Sequence, residues 1–477
     1  MKIYSFIRNG IELQPVEVEL SLMPGLPTLQ LMGLPDAAIK ESQLRVRSAL
    51  KHQGFQLPKR QQILVNLKPA YMKKSSRGLD LAIACAYLWK TEQVPLPARQ
   101  GPLFIYGELG LEGAVTVPDD IDALLAHPRD WPIYSGLPKH ELGYDIFAMN
   151  QLRDLHHPQF IEGTNFKYKM KRPPIKDLSF CKKAGRLIAV MATGEHPTLL
   201  AGPAGSGKTT LADAVHLLLS DPNPEEFRTS QQIAKLLGRP ISWRPMVAPH
   251  HTTTAMAMIG GGSPPVPGEI TRAHGGVLVL DEFLEFPSRV KEALREPLEK
   301  GEINVARVGR RQTFPSKFQL IATTNLCPCG DLVPGKAMQC QKSLVRCRSY
   351  IDRLSGPILD RFDVLSFSDQ WKPDGDVPLK EIFEKVKAAQ DFARTDRGQT
   401  VLNAELQVDD LLGQVEPFVR DHLMPDTSGS RRRLRALLRV ARSLADLDHS
   451  PSIKSKHLEE AKLFTLTSFH SLNRLFL

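Results

Sequence analysis

The stretch GPAGSGKT, residues 202–209, decides the fold of this chain of 477 residues. It follows an apolar run that ends at Ala201 and precedes a helical pattern that begins at Thr210, an order typical of a strand, a phosphate-binding loop and a helix. Its glycines allow the backbone to turn its N–H groups toward a phosphate, and the positive end of the next helix dipole adds to the attraction. The stretch therefore predicts a nucleoside triphosphate site in an α/β fold.

Two residues of this loop have specific chemical roles. Lys208 offers a compact cation to the β- and γ-phosphate oxygens, and the Thr209 hydroxyl offers an oxygen ligand to Mg²⁺. The residues expected to bind ATP are Gly202, Pro203, Ala204, Gly205, Ser206, Gly207, Lys208, Thr209 and Thr210.

A second stretch, VLVLDE at residues 277–282, indicates a buried strand that ends in two carboxylates. We expect Asp281, together with Thr209, to bind Mg²⁺, and Glu282 to polarise the attacking water. A phosphate-binding loop followed by such an acidic strand is far more specific than either stretch alone. The sequence therefore predicts ATP hydrolysis.

Three polar residues farther along the chain suit the same chemistry. Asn325 ends a buried strand and would hold the attacking water beside the γ-phosphate; a simple turn is the alternative interpretation. Arg361, at a predicted helix–strand junction, would reach the nucleotide of a neighbouring subunit and stabilise charge in the transition state. Arg432, at the start of a C-terminal helix, would reach the γ-phosphate from a lid. Each arginine alone is compatible with a surface charge, but their order along the chain favours the catalytic roles.

The composition is that of an ordinary globular protein. Hydrophobic residues make up 42% of the chain and charged residues 24%. No apolar run approaches the roughly 18 residues of a membrane span, and the first residues do not form a secretory signal, so we expect a cytoplasmic protein without a membrane partner. The net charge of +10 is compatible with a polyanionic partner without specifying one.

Changes in pattern divide the chain into three domains and a linker. Residues 1–155 alternate short strands with helices, the polar stretch 156–175 indicates a linker, and an α/β core follows at 176–370. A segment rich in Pro, Gly and Asp opens the mostly helical remainder, 371–477. The elements predicted most directly are strands at 63–67, 103–106 and 318–325, helices at 36–50 and 289–300, and a hairpin at 302–314 with its turn at Gly309.

Seven strings, distributed over nearly the whole chain, match one known family. They are GLPTLQLMGLPDAAIKES (25–42), GELGLEG (107–113), APHHTTT (248–254), IGGGSPPVPGEITRAHGGVLVLDEFLEF (259–286), NLCPCG (325–330), LSGPILDRFD (354–363) and VARSLADL (440–447). On these strings the chain resembles the ComM/YifB family, in the magnesium-chelatase-like branch of AAA+ ATPases.

The resemblance implies an architecture and an activity. The architecture is a Lon-protease-like N-terminal α/β domain, an AAA+ αβα core and a helical lid. Members of the family form ATP-dependent hexameric rings, and ComM proteins are implied to be DNA helicases that promote branch migration during natural transformation. One alternative is the motor subunit of a metal chelatase, which remodels a protein partner; another is an ATP switch that acts as an adaptor. The Lon-like domain favours the DNA motor, because chelatase motor subunits lack it.

The N-terminal domain departs from a working Lon-type protease. The segment 78–84, GLDLAIA, resembles the stretch that carries the serine nucleophile in true proteases, and Ile83 stands in the place of that serine. No string resembling the one that carries the lysine base follows Gly113. We therefore expect a non-proteolytic domain that serves binding or assembly.

Four cysteines lie close together in the sequence, and tetrahedral Zn²⁺ requires four such ligands. They are Cys327, Cys329, Cys340 and Cys347. The family shows its second pair as C-x-C, whereas position 342 here is Lys. We hypothesise a structural zinc site that stiffens the loop beside Asn325; the alternative is a set of reduced thiols without a metal.

Candidate DNA contacts lie in the predicted hairpin, whose cations would bind phosphates without distinguishing bases. They are Arg307, Arg310 and Arg311. The insert 244–272 is a second candidate pore element, and its pair His250–His251 is interpreted as a polar anchor of the loop rather than as a metal site. The arginine-rich helix 431–442 is a weaker candidate, because arginines at that density usually form a solvated face.

Overall fold

The computed structural model contains two compact units, Met1–Lys169 and Met170–Leu477. The residues that it describes are 2–33, 37–69, 78–98, 101–121, 131–139, 142–164, 170–262, 265–307, 310–330, 343–354, 356–368, 371, 374–420 and 431–465. Within these ranges, none of the helices combines the length and the apolarity that crossing a bilayer requires.

The first unit is built on a mixed β-sheet. Its elements are β1 (Ile3–Asn9), β2 (Glu12–Pro24), β3 (Leu29–Met32), α1 (Ala37–His52), β4 (Gln61–Lys68), α2 (Leu79–Lys90), β5 (Leu103–Ile105), β6 (Glu108–Leu109), β7 (Val115–Thr116), β8 (Ile133–Gly136), β9 (Ile146–Met149) and β10 (Gln159–Ile161). Eight of the strands form one sheet in the order β10-β9-β8-β5-β1-β2-β4-β3, and β6 pairs with β7. The helix predicted at 36–50 and the strands predicted at 63–67 and 103–106 are thereby confirmed.

Alternating side chains explain why the β4 segment forms a strand with one buried face. Ile63, Val65 and Leu67 are buried, and the residues between them are more exposed. Helix α2 is different, because its residues from Leu79 to Trp89 are buried on all sides. Ile83, which the sequence analysis compares with a protease nucleophile, is therefore a core residue.

The sheet of the first unit includes part of the segment predicted as a linker. Strand β10 pairs with β9 in antiparallel register, with Phe160 opposite Phe147. The compact unit extends to Lys169. The polar segment 156–175 thus includes an edge strand, β10. An edge strand has only one strand neighbour and can face solvent, which explains its polar composition.

The second unit has a three-layered α/β core followed by helices. Its strands are β11 (Ser179–Cys181), β12 (Thr198–Ala201), β13 (Met246–Val247), β14 (Gly260–Gly261), β15 (Val266–Pro267), β16 (Gly276–Leu280), β17 (Glu302–Arg307), β18 (Arg310–Pro315), β19 (Phe318–Thr324), β20 (Val364–Phe367) and β21 (Asp376–Pro378). Its helices are α3 (Lys182–Gly194), α4 (Lys208–Leu218), α5 (Pro224–Leu236), α6 (Ala255–Ile259), α7 (Glu269–Arg272), α8 (Ser288–Ala293), α9 (Arg295–Lys300), α10 (Leu344–Ile351), α11 (Gly356–Leu359), α12 (Leu379–Thr395), α13 (Val408–Leu412), α14 (Pro417–Arg420), α15 (Arg431–Leu447) and α16 (Ser455–Phe464).

A five-stranded parallel sheet forms the centre of this unit, in the order β13-β16-β19-β12-β20. Strands β12, β16 and β20 are buried at every residue, as expected for a parallel sheet that is covered on both faces. In such a sheet all strands end at the same edge. The predicted strand 318–325 is confirmed as β19, and Asn325 follows its last residue.

Pro297 divides the helix that was predicted at 289–300. Helix α8 ends at Ala293 and α9 begins at Arg295. Proline lacks the N–H that would bond the carbonyl four residues earlier, which belongs to Ala293, and its ring collides with that carbonyl. The single predicted helix is therefore wrong, and the break falls where the proline places it.

Helix α15 is largely buried from Leu434 onward, so the predicted solvated face of arginines is wrong beyond the first turn, where Arg431 and Arg432 are exposed. Arg442 is fully buried, lies 3.1 Å from Asp446 Oδ1 and donates to the Pro451 carbonyl. Burial lowers the pKa of Arg442 to about 10, against the attraction of Asp446. Helix α15 packs on α3, α12, α13 and α16 with its apolar side.

Arg244 was expected to open the pore insert, but it is a buried part of the core. Its two terminal nitrogens lie 2.6 and 2.7 Å from the carboxylate oxygens of Glu195, and its Nε donates to the Gly275 carbonyl. Both side chains are about 5% exposed or less. This bidentate pair ties the end of α3 to the segments that precede β13 and β16.

We expect Glu195→Gln to destabilise the protein by about 3 kcal/mol, because it leaves the buried Arg244 guanidinium without its counter-charge. Glu381→Gln is the matched control: Glu381 lies 2.7 Å from Lys385, but both side chains are more than half exposed, where such pairs contribute little. The midpoint and slope of urea unfolding measure both effects. Similar midpoint shifts in the two variants would contradict the structural importance of the buried pair.

Candidate functional site

The loop between β12 and α4 has the backbone of an anion cradle. Gly205 and Gly207 have φ angles of +74° and +84°, which glycine adopts without strain. Lys208 is the first residue of α4, and Thr209 and Thr210 are exposed on its first turn. The leading N–H groups of α4 and its dipole therefore face the space above the loop.

Lys208 is turned back onto its own loop. Its ammonium donates to the carbonyl oxygens of Gly202 at 2.9 Å and Pro203 at 2.7 Å. Burial lowers the pKa of Lys208 below its ordinary value, and the charges of Asp281 and Glu282 oppose that shift. The cation thus lies where anionic oxygens could replace the carbonyl contacts.

The two carboxylates follow β16 directly and are oriented by a residue that the sequence analysis missed. The Thr323 hydroxyl donates to Asp281 Oδ1, and the Glu282 amide donates to the same hydroxyl at 3.3 Å. Glu282 has a φ of +54°, a conformation that costs a non-glycine residue roughly 1–3 kcal/mol and is typical of functional sites. In the sequence, the position of Thr323 in the string ATTN at 322–325, just before Asn325, is the feature that could have indicated its role.

The structure brings Asn325 to the same edge of the sheet. Asn325 Oδ1 lies 3.4 Å from Lys208 Nζ, because β19 and β12 are parallel neighbours that end side by side. The loop, the acidic pair and Asn325 therefore surround one space at the carboxyl edge of the sheet, the usual position of ligands in open α/β folds.

Arg361 and Arg432 lie at the opposite edge. Arg361 lies three residues before the start of β20 and donates to Glu299 Oε1 at 2.9 Å. Arg432, in the first turn of α15, lies 3.5 Å from Asp360 Oδ2. Strands β12 and β20 have four residues each, which separates the two edges by roughly 13 Å at about 3.3 Å per residue.

These two arginines line one broad cavity of about 1280 Å³ at the amino edge of the sheet. Its walls also include Asp360 and Arg435. The cavity is open to solvent and polar, and none of the residues predicted for the phosphate loop borders it. The sequence-predicted site is thus divided into two sets of residues on two edges.

The hairpin predicted at 302–314 is confirmed as the antiparallel pair β17–β18, in which Arg307 is opposite Arg310. Its base is anchored in the core by Ile303, Val305 and Phe314, all nearly fully buried. The predicted turn at Gly309 lies outside the described residues. Arg311 follows on β18, and the backbone places all three arginines at the tip end of the hairpin.

Three of the four cysteines of the zinc hypothesis lie within the described residues. Cys327 Sγ and Cys329 Sγ lie 2.9 Å apart directly after β19, and Cys347 is buried in α10. Cys340 lies outside the described residues. Among the residues that are described, no group of three or more potential ligands gathers around a common point, so zinc stays a prediction.

A second residue that the analysis did not assign to the site is His251. Its Nδ1 lies 3.2 Å from Glu282 Oε2. The sequence analysis interpreted the pair His250–His251 as an anchor of its loop, and only the tertiary structure shows which carboxylate one of the rings meets. The strand order explains the contact, since β13, which leads into this loop, is the neighbour of β16.

Family profiles match the chain in three successive parts. They are "Magnesium chelatase, subunit ChlI" at residues 175–373, "Subunit ChlI of Mg-chelatase" at 16–129 and "Magnesium chelatase, subunit ChlI C-terminal" at 378–464.

Two similar proteins match nearly the whole chain, and a third matches part of it. The uncharacterized protein YifB of Escherichia coli (strain K12) is 34% identical over 501 aligned residues, which span 98% of this chain and 96% of that protein. The competence protein ComM of Haemophilus influenzae is 32% identical over 498 residues, 96% of each chain. A probable DNA helicase MCM9 of Arabidopsis thaliana is 28% identical over 189 residues, 39% of this chain and 27% of that protein. With its parallel-sheet core and near-complete coverage, the chain belongs to the ComM/YifB family of magnesium-chelatase-like AAA+ proteins.

Proposed function

We propose that this protein is an ATP-driven DNA motor that works as a ring and promotes branch migration during recombination in natural transformation. The observation that carries the proposal is the division of the candidate ATP site. One edge of the sheet offers the phosphate loop, the acidic pair and Asn325, and the other offers Arg361 and Arg432. A ring in which the two edges of neighbouring subunits meet would complete each site.

At the carboxyl edge, the residues suit binding and hydrolysis of ATP. Phosphate oxygens would replace the carbonyls that now accept from Lys208. Glu282 would polarise the attacking water, and Asn325 would orient that water toward the γ-phosphate. In-line attack then needs no covalent intermediate on the protein, so catalysis rests on positioning and charge.

The residues present also suit Mg²⁺, which prefers oxygen ligands. The Thr209 hydroxyl is exposed at the start of α4, and the Thr323 hydroxyl orients the Asp281 carboxylate at the adjacent strand end. Thr209 and Asp281 would hold the ion. When bound with ATP, Mg²⁺ neutralises charge on the phosphates.

At the amino edge, Arg361 and Arg432 cannot reach the phosphate loop of their own chain, because the sheet lies between. Each would therefore act on the nucleotide of a neighbouring subunit. For Arg432 this differs from a lid that closes over its own nucleotide. By family resemblance the ring would be a hexamer.

DNA is the partner that the chemistry and the relatives favour. The sequence places three arginines at the end of the hairpin β17–β18 that is opposite its buried base, and the chain carries a net charge of +10. Contacts to phosphates would hold the strand without distinguishing its sequence. The name of the relative ComM refers to competence, and the partial relative MCM9 is named a probable DNA helicase. Such work on DNA would take place in the cytoplasm.

The N-terminal unit would serve binding or assembly without proteolysis, since Ile83 is a core residue where a nucleophile would have to be reachable. An alternative function for the whole protein is that of a chelatase-type motor that remodels a protein partner. The names of the matching family profiles favour that alternative.

An assay with a synthetic four-way DNA junction that carries labelled arms distinguishes these two functions. The proposed motor converts the junction to migrated products with ATP and fails to do so without ATP. Its ATPase rate also rises with DNA. If the ATPase rate does not respond to DNA and the junction is not converted, the proposal is refuted and remodelling of a protein partner is favoured.

Replacing Glu282, the second residue of the acidic pair, tests its proposed role in ATP hydrolysis. We expect Glu282→Gln to bind ATP normally and to lose turnover by about 10²–10⁴-fold, because an amide cannot accept a proton from water. Lys208→Ala should instead weaken ATP binding. Glu285→Gln, three residues along the same segment, is the matched control and should keep wild-type turnover. Turnover in Glu282→Gln at the wild-type rate would remove Glu282 from its role.

Mixed rings test whether the arginines act between subunits. Arg361→Ala and Arg432→Ala should each lower turnover by about 10³-fold or more. Each, when mixed with Lys208→Ala, should recover activity, because a mixed ring contains interfaces with one intact loop and one intact arginine. The matched control Arg431→Ala, which is 76% exposed beside Arg432, should be fully active alone. Absence of recovery at every mixing ratio, in rings that form normally, would argue for action within one subunit.

Salt dependence tests the hairpin. The triple change of Arg307, Arg310 and Arg311 to Ala should lower the slope of log affinity against log salt by about two units, at roughly 0.7 per single-strand phosphate contact. Junction migration should fall with it, while basal ATPase persists. The triple Ala variant of the exposed lysines 380, 385 and 387 on α12 removes the same charge elsewhere and should keep the slope. An unchanged slope in the hairpin variant would place the DNA path on another surface.

A further inference from the structure

Three buried side chains join the C-terminal helix α15 to the segment that carries Arg361. The His196 ring lies 3.3 Å from Asp363 Oδ2 through its Nδ1 and 2.8 Å from Ser443 Oγ through its Nε2. His196 and Ser443 are fully buried, and Asp363 is nearly so. We refer to Ser443, His196 and Asp363 as the clasp. Asp363 follows Arg361 by two residues, so the clasp ends beside one of the two arginines at the amino edge.

The donors and acceptors of the clasp have one consistent arrangement. Asn403 Nδ2 donates to Ser443 Oγ at 2.9 Å, and the serine hydroxyl is then left to donate to His196 Nε2. The other ring nitrogen of His196 carries the proton and donates to Asp363. Burial opposes the charge of Asp363, but the hydrogen bond from His196 and the attraction of Arg439 lower the pKa of this carboxyl below its ordinary value. Removal of one group therefore leaves its neighbour buried without a partner.

The surroundings of the clasp permit little movement between α15 and the core. The Asp363 amide donates to the Pro197 carbonyl at 3.0 Å. Gly194, the last residue of α3, leaves no room for a side chain, because a Cβ there would collide with the ring and the hydroxyl of the clasp. The segment that carries Arg361 is thus fixed by the core through its backbone and by α15 through the Asp363 side chain.

Helix α15 also carries the second arginine of the amino edge. Arg432 lies 3.5 Å from Asp360, the residue before Arg361, and both arginines line the same cavity. Arg432 and Ser443 are about three turns apart and lie on the same face of the helix. The position of Ser443 on the core therefore determines where Arg432 lies relative to Arg361.

We propose that the three residues of the clasp are positioning residues that fix the spacing of Arg361 and Arg432, so that both reach one nucleotide of the neighbouring subunit. The inference rests on the proposed function, in which the two arginines act between subunits. It follows that a defect in the clasp lowers hydrolysis at the neighbour's site and leaves the subunit's own site intact.

The basal ATPase rate of Ser443→Ala, measured without DNA, tests the clasp. We expect kcat to fall about tenfold, the effect of one lost buried hydrogen bond, with KM for ATP unchanged because the phosphate loop lies at the other edge. Ser450→Ala is the matched control: Ser450 is buried just after α15, and its hydroxyl donates to the Ser452 carbonyl, outside the clasp. Both variants should unfold at a lower urea midpoint, but Ser450→Ala should keep wild-type turnover. An equal loss of turnover in the two variants would assign the effect to stability and overturn the proposal.

Mixed rings locate the defect. Ser443→Ala subunits mixed with an excess of Lys208→Ala subunits, whose clasp is intact, should regain about fivefold in turnover per Ser443→Ala subunit. Misfolded subunits cannot produce such a gain. Unchanged turnover per Ser443→Ala subunit, in rings that form normally, would place the defect in the subunit's own site and overturn the proposal.

Two further variants complete the test. In the Arg361→Ala background no spacing remains to be set, so Ser443→Ala should lower the residual turnover less than threefold; a tenfold loss there would overturn the proposal. Ser443→Cys keeps the shape of the side chain and weakens its hydrogen bond. It should lose less turnover than Ser443→Ala, and it replaces that variant in the mixed rings if the alanine variant does not assemble. Wild type that hydrolyses ATP but leaves a DNA junction unchanged would refute the DNA motor, whereas these comparisons, all made without DNA, would still decide the role of the clasp.

Discussion

The common direction of five parallel strands is the constraint on which the rest of the second unit depends. Parallel strands end at one edge, so the loop after β12, the carboxylates after β16 and Asn325 after β19 meet, although they are far apart in the sequence. The same direction places the residues that precede β20 at the other edge. The division of the candidate site between two edges is therefore a consequence of strand direction and not of any local motif.

Buried polar contacts fix the amino edge as firmly as the strands fix the carboxyl edge. The His196 ring lies between Asp363 and Ser443, 3.3 Å from a carboxylate oxygen and 2.8 Å from the hydroxyl. Arg439 approaches the same Asp363 oxygen at 3.6 Å. Asp363 follows Arg361 by two residues, so helix α15 sets the position of the segment that carries Arg361. Buried polar groups tolerate few alternative arrangements, which makes this connection specific.

The features that depend on neighbouring residues in the sequence could be predicted, whereas the contacts that depend on tertiary partners could not. The loop between β12 and α4, strand β19 and the hairpin follow from glycines, apolar runs and turn signals that act over a few residues, and the structure has them at the predicted positions. From the sequence, Arg244 and Arg442 resemble surface cations. The carboxylate that pairs with Arg244 is Glu195, 49 residues earlier in the chain. The partner of Arg442, Asp446, is on the same helix, but the burial of both residues depends on how that helix packs. The contact of His251 with Glu282 was not visible for the same reason. The proline break in the helix 289–300 was the exception, since its cause was local and was overlooked.

The contacts at the carboxyl edge also favour an anionic ligand at the proposed site. The Lys208 ammonium donates to the carbonyls of Gly202 and Pro203, and the His251 ring lies beside the Glu282 carboxylate. A ligand that displaces these carbonyls has to offer acceptors at least as strong, because Lys208 is buried and its desolvation lowers the pKa of the ammonium. Anionic phosphate oxygens meet that condition with a margin, because charge-assisted hydrogen bonds are stronger than bonds to neutral oxygens. The burial that the parallel sheet imposes on Lys208 and the charge of its ammonium thus favour a polyphosphate as the ligand at this edge, as the proposed function requires.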